Sequence, residues 1–495
     1  MILDARDLPD GERITADVVI VGAGPAGLTA ALALRGDGLS VVVLESGGFS
    51  VDDEQQDLYV GEMEGLDTWT PESTRFRLFG GSSVAWSGFC KPFEAADFEP
   101  RAHIPNSGWP IRLDDLETFY VRAQQRLELG PYLYETAAFA AADDVPDLFE
   151  GSDRVRTEMF QFSPPTRFGT RYRTLLEETA DVTVYLNAAL IDIRTTAARD
   201  GVTQLVCRNP AGDRITVTSE IYALAAGGIE NARLLLAADL DRGGLANRSD
   251  AVGRYFMEHP HYYGDAIVWV PTDGLVRTLY DRRRVTGSVG GQAFSNQEVM
   301  GALILSPEVR AEEGLPSFTA QLRGASEPET GEILPGEISA LTRAADDRQL
   351  WRCILRTEQT PVPGSRLRLV DDVDDYGMRR IALDWRIRRE DDRALRRSLE
   401  ILGAEIARRG LGRLWTPTDG ARYDGTPQPG AHHMGTTRMG DDPLTSVVDR
   451  DLRCHDVENL YVLGSSVFTT GGNANPTLTL VALSERFADH VRSLA

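Results

Sequence analysis

Two glycine-rich segments near the C-terminus carry side chains suited to moving a proton. Segment 431–440 contains the neighbouring histidines His432 and His433, and segment 471–480 contains Asn475. A histidine can accept a proton near neutral pH because its ordinary pKa is about 6.5. An asparagine amide can hydrogen-bond the substrate oxygen that loses this proton and can orient it. Neighbouring side chains point apart, so we expect at most one of the two histidines to face a given cleft.

A second pattern, near the N-terminus, is typical of a nucleotide-binding turn. Gly22, Gly24 and Gly27 are spaced as G-x-G-x-x-G between two apolar runs, and Glu45 ends the next apolar run. Gly22 permits a tight turn, Gly24 lets the backbone approach a pyrophosphate, and Gly27 lets strand and helix pack closely. The helix start offers N–H groups to the pyrophosphate, and Glu45 can bond both ribose hydroxyls. The pattern predicts a bound dinucleotide and by itself leaves FAD and NAD open.

The elements that must position these groups follow from hydrophobic periodicity. Short β-branched apolar runs predict buried strands, and apolar residues at helical spacing predict helices. The predicted strands are 17–21, 39–44, 182–186, 189–193, 215–218, 221–225, 266–270, 367–370, 381–385 and 460–463. The predicted helices are 28–34, 113–127, 391–408 and 477–491, with another beginning after Ala226.

The distribution of these patterns predicts an α/β fold with two domains. Glycine-rich turns occur in 1–255 and again in 431–495, whereas 256–430 has strand-like and helical runs without glycine fingerprints. We expect a Rossmann-like domain built from the discontinuous segments 1–255 and 431–495, and a mixed α+β substrate-binding domain over 256–430. The acidic run near 50–75 is predicted to be an irregular, lid-like surface excursion.

Charge narrows the class of partner. The chain has 495 residues with 52 basic and 75 acidic side chains, a net charge of −23, and Lys91 is its only lysine. Nucleic acids and anionic membranes bind basic surfaces, so neither is expected as a partner. The acidic balance favours neutral or cationic ligands.

Cysteine usage and the absence of other motifs bear on compartment and chemistry. The four cysteines are scattered and form no C-x-x-C pair, which indicates a reducing compartment. Residues 1–8 lack signal-peptide character, and glycines interrupt the long apolar stretch 18–34, so we expect a cytoplasmic protein. The segment 258–261, Glu-His-Pro-His, lacks further ligands at suitable spacing, so no metal is expected.

Taken together, these motifs resemble the glucose–methanol–choline (GMC) family of flavin oxidoreductases, with the pyranose-oxidase and bacterial sugar-dehydrogenase branch closest. They follow in order along most of the chain. The motifs are Gly22–Gly27 with Glu45, Gly80–Ser83, Gly108–Pro110, Ala225–Arg233, Val252–Pro260, His432–Met439 and Asn475–Thr479. The resemblance implies FAD as cofactor and oxidation of a CH–OH group.

The resemblance also implies roles for individual residues. The family's catalytic histidine falls on His432, and its second active-site position, His or Asn, falls on Asn475. Some pyranose oxidases tether FAD to a histidine where Ala85 stands here, so non-covalent FAD is implied. The implied FAD-binding residues are Gly22, Gly24, Pro25, Ala26, Gly27, Glu45, Gly80, Gly81, Ser82, Ser83, Trp86, Leu190, Ala226, Gly227, Gly464, Ser465, Asn475, Pro476 and Thr477.

Alcohol oxidation removes a proton from O–H and a hydride from carbon, and flavin N5 accepts the hydride. A histidine base then supplies the protein's share of the chemistry. The substrate is expected to be a sugar, amino sugar or aminocyclitol alcohol, such as an aminoglycoside intermediate, with O2 or another compound as electron acceptor. Alternatives are a non-redox hydroxynitrile lyase on the same scaffold, or an oxidase of sterols or other small alcohols. Oxidase and dehydrogenase both remain open.

Overall fold

The described part of the chain contains two eight-stranded sheets, a three-stranded sheet, a two-stranded sheet and the helices packed on them. A computed structural model describes residues 1–66, 69–271, 279–324, 348–416, 418–419, 422–423 and 427–494. Its strands are β1 (Ile2–Asp4), β2 (Glu12–Val21), β3 (Val41–Leu44), β4 (Glu62–Gly65), β5 (Phe89–Cys90), β6 (Val155–Phe162), β7 (Val182–Leu186), β8 (Ala189–Thr195), β9 (Val202–Arg208), β10 (Arg214–Leu224), β11 (His261–Pro271), β12 (Arg283–Val289), β13 (Gln292–Leu305), β14 (Phe318–Gly324), β15 (Arg348–Thr357), β16 (Arg366–Val373), β17 (Arg379–Trp385), β18 (Arg413–Trp415), β19 (Thr418–Asp419), β20 (Arg422–Tyr423) and β21 (Leu460–Val462).

The helices lie mostly between these strands. They are α1 (Pro25–Ala33), α2 (Asp53–Asp57), α3 (Ala95–Phe98), α4 (Asp114–Arg126), α5 (Thr136–Asp143), α6 (Phe168–Glu178), α7 (Gly227–Ala237), α8 (Pro307–Glu313), α9 (Arg389–Arg408) and α10 (Pro476–Leu494). The predicted helix at 28–34 begins three residues earlier, because Gly24 caps α1 in an extended conformation and Pro25 fits its first turn. No helix within the described residues has the length and apolar composition needed to cross a membrane.

The first sheet is parallel at its centre. Its strand order is β1-β7-β3-β2-β10-β9-β8, and β21 pairs with the C-terminal half of β10. In this register Val21 lies opposite both Leu44 and Leu224, and Leu224 lies opposite Val462. Four parallel strands therefore end level at one edge, where α/β folds bind ligands.

One prediction about this sheet is wrong in detail. Residues 214–224 form the single strand β10, where two strands were expected. The polar pair Ser219 and Glu220 does not end the strand, because β2 pairs with it along almost its whole length, from Glu12 opposite Ile215 to Val21 opposite Leu224.

The second sheet is antiparallel, in the order β18-β11-β15-β14-β13-β6-β5, with β12 also paired to β13. Most of its strands come from 256–430, and β5 and β6 come from earlier in the chain. Helix α9 buries Leu395, Leu399, Leu402 and Ile406, which follow helical spacing, in a core shared with this sheet.

Residues 50–75 are more ordered than predicted. They contain α2, β4 and a short 3₁₀ turn at Pro71–Thr74. Strand β4 pairs in parallel with β17, and Leu58, Tyr59 and Trp69 are buried. The prediction of irregular structure is therefore wrong, because the apolar side chains pack against the body of the protein, while Val51–Glu54 are exposed.

Candidate active site

A cavity of about 380 Å³ opens at the edge where the parallel strands end. Its wall includes the strand-end residues Val21 and Leu44 and the loop residues that follow β10 and β21. The predicted residues that line it are His432, Asn475, Gly22, Gly24, Pro25, Ala26, Glu45, Gly81, Ser82, Ser83, Trp86, Leu190, Ala226, Gly227, Gly464, Ser465, Pro476 and Thr477. Gly27 and Gly80 are the predicted residues that do not line it.

The glycines of the fingerprint turn fit a bound pyrophosphate. Gly22 has φ +105°, and a Cβ added to Gly27 would lie 2.0 Å from the Gly22 carbonyl oxygen, so both positions need glycine for backbone packing. A Cβ on Gly24 would have no protein atom within 4 Å. Because Gly24 lines the cavity, that added atom would project into the space where a cofactor's phosphates can approach the start of α1.

Glu45 sits where its sequence position predicts, at the end of β3. Its Oε2 accepts the Ala23 N–H at 2.8 Å and its Oε1 accepts the Gly47 N–H at 2.8 Å. Burial raises the pKa of this carboxyl. Each carboxylate oxygen can accept a further hydrogen bond, so the side chain can still bind a ribose hydroxyl at the cavity wall.

The Gly80–Trp86 loop packs directly on the fingerprint turn. The Gly80 N–H donates to the Ala23 carbonyl at 2.9 Å, and the Ser83 hydroxyl donates to the Gly80 carbonyl at 2.7 Å. Gly80 and Ser83 thus shape the loop. Ala85 lines the cavity at the position of the family's tethering histidine. Its methyl group has no chemistry for a covalent bond to flavin.

Two helix N-termini meet the cavity. Gly24 and Pro25 begin α1, and Pro476 and Thr477 begin α10, on the C-terminal side of Asn475. The positive ends of both helix dipoles therefore face the space available to an anionic cofactor.

Sequence reasoning missed a buried charge cluster in the cavity wall. The Glu230 carboxylate receives guanidinium groups from Arg75 at 3.1 Å, Arg77 at 2.9 Å and Arg233 at 3.1 Å. Arg233 also pairs with Asp374 at 2.6 Å. Arg75, Arg77 and Glu230 line the cavity together with Glu45, so two guanidinium groups border the space that phosphates could occupy.

The same cluster sets the pKa of Glu230 and packs against the Tyr59 ring. Burial alone would raise the pKa of Glu230, but the charges of Arg233, Arg77 and Arg75 lower it to about 2. The Tyr59 ring lies between two guanidiniums, 3.8 Å from Arg75 and 4.1 Å from Arg77. Arg233 and Glu230 lie in a motif that the sequence analysis identified, but nothing in the sequence pairs them with Arg75 and Arg77.

His432 and Asn475 meet at the cavity wall. The Nε2 atom of His432 lies 3.2 Å from the Nδ2 atom of Asn475. The neighbouring His433 has other partners: it stacks on Trp69 with ring centroids 5.2 Å apart, and its Nε2 lies 3.2 Å from the Thr74 hydroxyl. His432 is half-buried and His433 is buried, and both residues line the cavity.

The loop that carries His432 is joined to the segment 257–261. Met257 and Met434 exchange backbone hydrogen bonds at 3.0 Å, and His261 exchanges them with Gln428 at 2.9 and 2.8 Å. This pairing brings Glu258, His259 and His261 next to His432, where Glu258 and His259 are hydrogen-bond partners and the His261 ring is in edge contact.

Glu258 and His259 hold His432 directly. Glu258 Oε2 accepts the backbone N–H of His432 at 2.9 Å and that of Gly430 at 3.2 Å, and burial raises the pKa of Glu258 to about 8. The Nδ1 atoms of His259 and His432 are 2.9 Å apart. The sequence signal for both residues was the polar Glu-His-Pro-His run.

The surroundings of His432 keep its ring neutral. Burial lowers the pKa of His432 well below its ordinary value, and His259, His261 and Arg356 lower it further. Arg356 donates from Nε to His261 Nε2 at 2.6 Å. A neutral imidazole retains a lone pair that can accept a proton from a substrate.

Buried polar groups also fix the loop that carries Asn475. Lys91 binds Asn473 Oδ1 at 2.9 Å and pairs with Glu158. The Gly472 N–H donates to Glu358 Oε1 at 3.2 Å. The single lysine of the chain thus holds the active-site loop two residues from Asn475.

Two family models match the chain. One, described as GMC oxidoreductase, matches residues 361–484, and one described as FAD dependent oxidoreductase matches residues 17–263. Together they contain the fingerprint turn and the C-terminal motifs around His432 and Asn475.

Individual proteins resemble the chain over nearly its full length. The fructose dehydrogenase large subunit of Gluconobacter japonicus is 25% identical to this chain, and the match covers 97% of this chain and 98% of the subunit. The paromamine 6'-oxidase of Streptomyces fradiae is 25% identical, covering 99% of this chain and 93% of its own. The solved pyridoxine 4-oxidase from Mesorbium loti matches with a TM-score of 0.57 and 18% identity over 96% of this chain and 98% of its own, which shows a shared fold.

Substitutions at Gly24 and Gly27 should affect different properties, flavin binding in the first case and stability in the second. Gly24→Val should leave the protein folded but flavin-free, because its side chain points into the cavity. Gly27→Ala should lower the unfolding temperature, because its Cβ meets the Gly22 carbonyl. Thermal unfolding and the flavin that acid precipitation releases into the supernatant measure the two effects. Fully yellow Gly24→Val protein, or wild-type flavin that stays with the pellet, would contradict this account.

Glu230 should make folding sensitive to acid. Its folded pKa of about 2 lies below its ordinary 4.5, so its stabilising contribution is present above pH 4.5 and is lost as pH falls towards 2. At neutral pH, Glu230→Gln leaves buried arginines uncompensated and should cost roughly 3–5 kcal/mol in denaturant unfolding. The exposed ion pair Arg173–Glu177 supplies the control: Glu177→Gln should cost less than about 0.5 kcal/mol. Equal losses in both variants would refute a special role for Glu230.

Proposed function

Because the chain belongs to the GMC family of FAD-dependent oxidoreductases, which oxidise alcohols, we propose that it oxidises a sugar, amino sugar or aminocyclitol alcohol with His432 as the base. The family, the α/β fold, the FAD cofactor and the alcohol-oxidising activity predicted from the sequence are confirmed. The single observation that carries the proposal is the 3.2 Å approach of His432 Nε2 and Asn475 Nδ2 at the cavity wall.

The cavity residues divide into a cofactor end and a reaction end. We propose that the fingerprint turn, Glu45 and the N-termini of α1 and α10 hold FAD without a covalent bond. When bound, FAD supplies the acceptor for the hydride that leaves the alcohol carbon. The guanidinium groups of Arg75 and Arg77 at the cavity wall support this assignment, since FAD carries a negatively charged pyrophosphate.

At the reaction end, His432 Nε2 removes the hydroxyl proton of the substrate. Asn475 donates its amide N–H to the same oxygen and fixes the direction of the O–H bond. The low pKa of His432, caused first by burial, keeps the base unprotonated at neutral pH. Segment 256–430 acts as the substrate-binding domain. The position of its residues His259, His261 and Arg356 around His432 supports this assignment.

The charges around His432 and over the whole chain indicate which charge the substrate carries. Arg356 next to His261 makes the neighbourhood of His432 positive, which favours a neutral hydroxyl there. The net charge of −23 favours approach of cationic molecules. A substrate amino group would therefore lie away from Arg356. The relatives named for fructose and paromamine support polyhydroxylated substrates without and with amino groups.

The cellular setting belongs to the proposal as well. All four cysteines are buried free thiols, which supports a reducing, cytoplasmic location. The acidic charge balance supports small-molecule partners rather than nucleic acid or a membrane surface. O2 or another small electron acceptor reoxidises the cofactor.

Three alanine variants test the roles at the reaction end. His432→Ala should keep its FAD but slow anaerobic flavin bleaching by roughly 10²–10⁴-fold, as is typical of a lost general base. Asn475→Ala should fall between this variant and wild type, because orientation is lost and the base remains. His433→Ala serves as the matched control, with a much smaller effect. If His433→Ala is instead the crippled variant, the base has been assigned one residue too early.

An alcohol panel tests the substrate class. We expect bleaching of the flavin under nitrogen by neutral sugars, amino sugars or aminocyclitols, and none by sterols. Flavin-bleaching rates with matched amino and hydroxyl sugars, at low and high salt, measure how much the acidic surface attracts a cationic substrate. Salt screening removes this long-range attraction. Repetition in air separates oxidase from dehydrogenase. Product formation without any bleaching would indicate a lyase and overturn the proposed function.

A further inference from the structure

We propose that His259 is a positioning residue that fixes His432 in the tautomer with its proton on Nδ1, leaving the lone pair of Nε2 to face the substrate hydroxyl. The proposal rests on the proposed role of His432 as the base and assigns the group that prepares it for that role. The two residues are 173 positions apart in sequence.

Two backbone carbonyls determine which nitrogen of His259 carries a proton. His259 Nε2 lies 3.1 Å from the Gly471 oxygen and 3.0 Å from the Gly472 oxygen. A carbonyl oxygen can only accept a hydrogen bond, so His259 Nε2 must carry a proton and donate it. His259 is buried, which leaves no solvent to replace these partners.

The other ring nitrogen of His259 is then an acceptor. Burial lowers the pKa of His259 to about 4, so the ring is neutral near pH 7 and holds a single proton, on Nε2. Its Nδ1 therefore has a lone pair, and that atom lies 2.9 Å from Nδ1 of His432. His432 must donate from Nδ1, because the opposite tautomer would direct two lone pairs at each other.

The unprotonated nitrogen of His432 is the one at the cavity. With the proton on Nδ1, His432 Nε2 has a free lone pair, and this is the atom that lies 3.2 Å from the Asn475 amide. Asn475 Nδ2 can donate to that lone pair in the resting protein. The hydrogen bonds thus run in one direction from His432 through His259 to the Gly471–Gly472 backbone.

Glycines allow the close approach that this arrangement needs. A Cβ on Gly471 would lie 3.0 Å from His259 Nε2, and one on Gly430 would lie 3.0 Å from His432 Nδ1 and 2.5 Å from His261 Cε1. Side chains at either position would crowd the rings. The backbone on both sides of the histidine pair is therefore shaped to let them meet.

The pair also accounts for the proton after it leaves the substrate. The alcohol O–H bond breaks and an N–H bond forms at His432 Nε2, which makes that ring an imidazolium. Its Nδ1 proton stays in the hydrogen bond to His259, which becomes charge-assisted and stronger. The carbonyl oxygens at the far side of His259 stabilise the positive charge that this polarisation spreads, and so offset the repulsion from the like charge of Arg356.

Nitrogen-15 NMR of the histidine-labelled holoenzyme tests the tautomer without requiring turnover. We expect His432, identified by the signals lost in His432→Gln, to show a protonated Nδ1 and an unprotonated Nε2. A proton on Nε2 of His432 in the resting enzyme would overturn the proposal. This readout stands even if the alcohol panel finds no substrate, so it separates failure of this inference from failure of the proposed function.

Two substitutions of His259 supply the kinetic arm. His259→Leu keeps bulk but removes the acceptor, and the flavin-bleaching rate should fall by roughly 10²–10⁴-fold with substrate KM little changed, as expected for a base held in the wrong tautomer. His259→Asn retains an acceptor oxygen near the Nδ1 position and should restore the rate to within about 10-fold of wild type.

His490, which is half-buried near the C-terminal end of α10, is the control. His490→Leu should leave both the rate and the His432 spectrum unchanged. Wild-type bleaching by His259→Leu would overturn the proposal, as would equal damage by His259→Leu and His259→Asn in folded, FAD-loaded proteins. Should His259→Leu fail to fold, the wild-type spectrum and the asparagine variant still decide the matter.

Discussion

The level ending of four parallel strands is the constraint on which the site depends. Val21 lies opposite Leu44 and Leu224, and Leu224 lies opposite Val462, so the loops after β2, β3, β10 and β21 leave the sheet at one edge. The strand ends Val18–Val21, Val41–Leu44 and Leu460–Val462 are buried at every position, so a slip of one residue in a pairing would exchange the side chains packed on the two faces of the sheet. The apolar burial of these strands therefore also fixes where the fingerprint turn, Glu45 and the C-terminal loops meet.

Buried polar groups complete what the sheet begins. The segment 257–261 pairs with 428–434, and this places Glu258 and His259 against the loop of His432. Lys91 and Glu358 hold the loop of Asn475 from the other side. Removing one member of such a network leaves its partner buried without compensation, so the geometry at His432 is costly to distort.

Sequence alone predicted the parts of the molecule that depend on local patterns. The spacing of Gly22, Gly24 and Gly27 predicts a turn whose packing the structure explains, and the buried runs predict the central strands. The joined strand β10 was missed because pairing with β2 overrides the polar residues in its middle. The cluster of Arg75, Arg77 and Glu230, and the pair of His259 and His432, were missed because long-range contacts leave no periodic signal.

The central claim is that an alcohol loses a proton to His432 and its hydride to the bound cofactor in one cavity. Its most direct test is a single anaerobic turnover with the best panel alcohol, measuring carbonyl product and bleached flavin together in wild type and His432→Ala. The account predicts one aldehyde or ketone per flavin bleached, with both slowed equally in the variant. Carbonyl product formed while the flavin stays oxidised, or unchanged rates in His432→Ala, would contradict it.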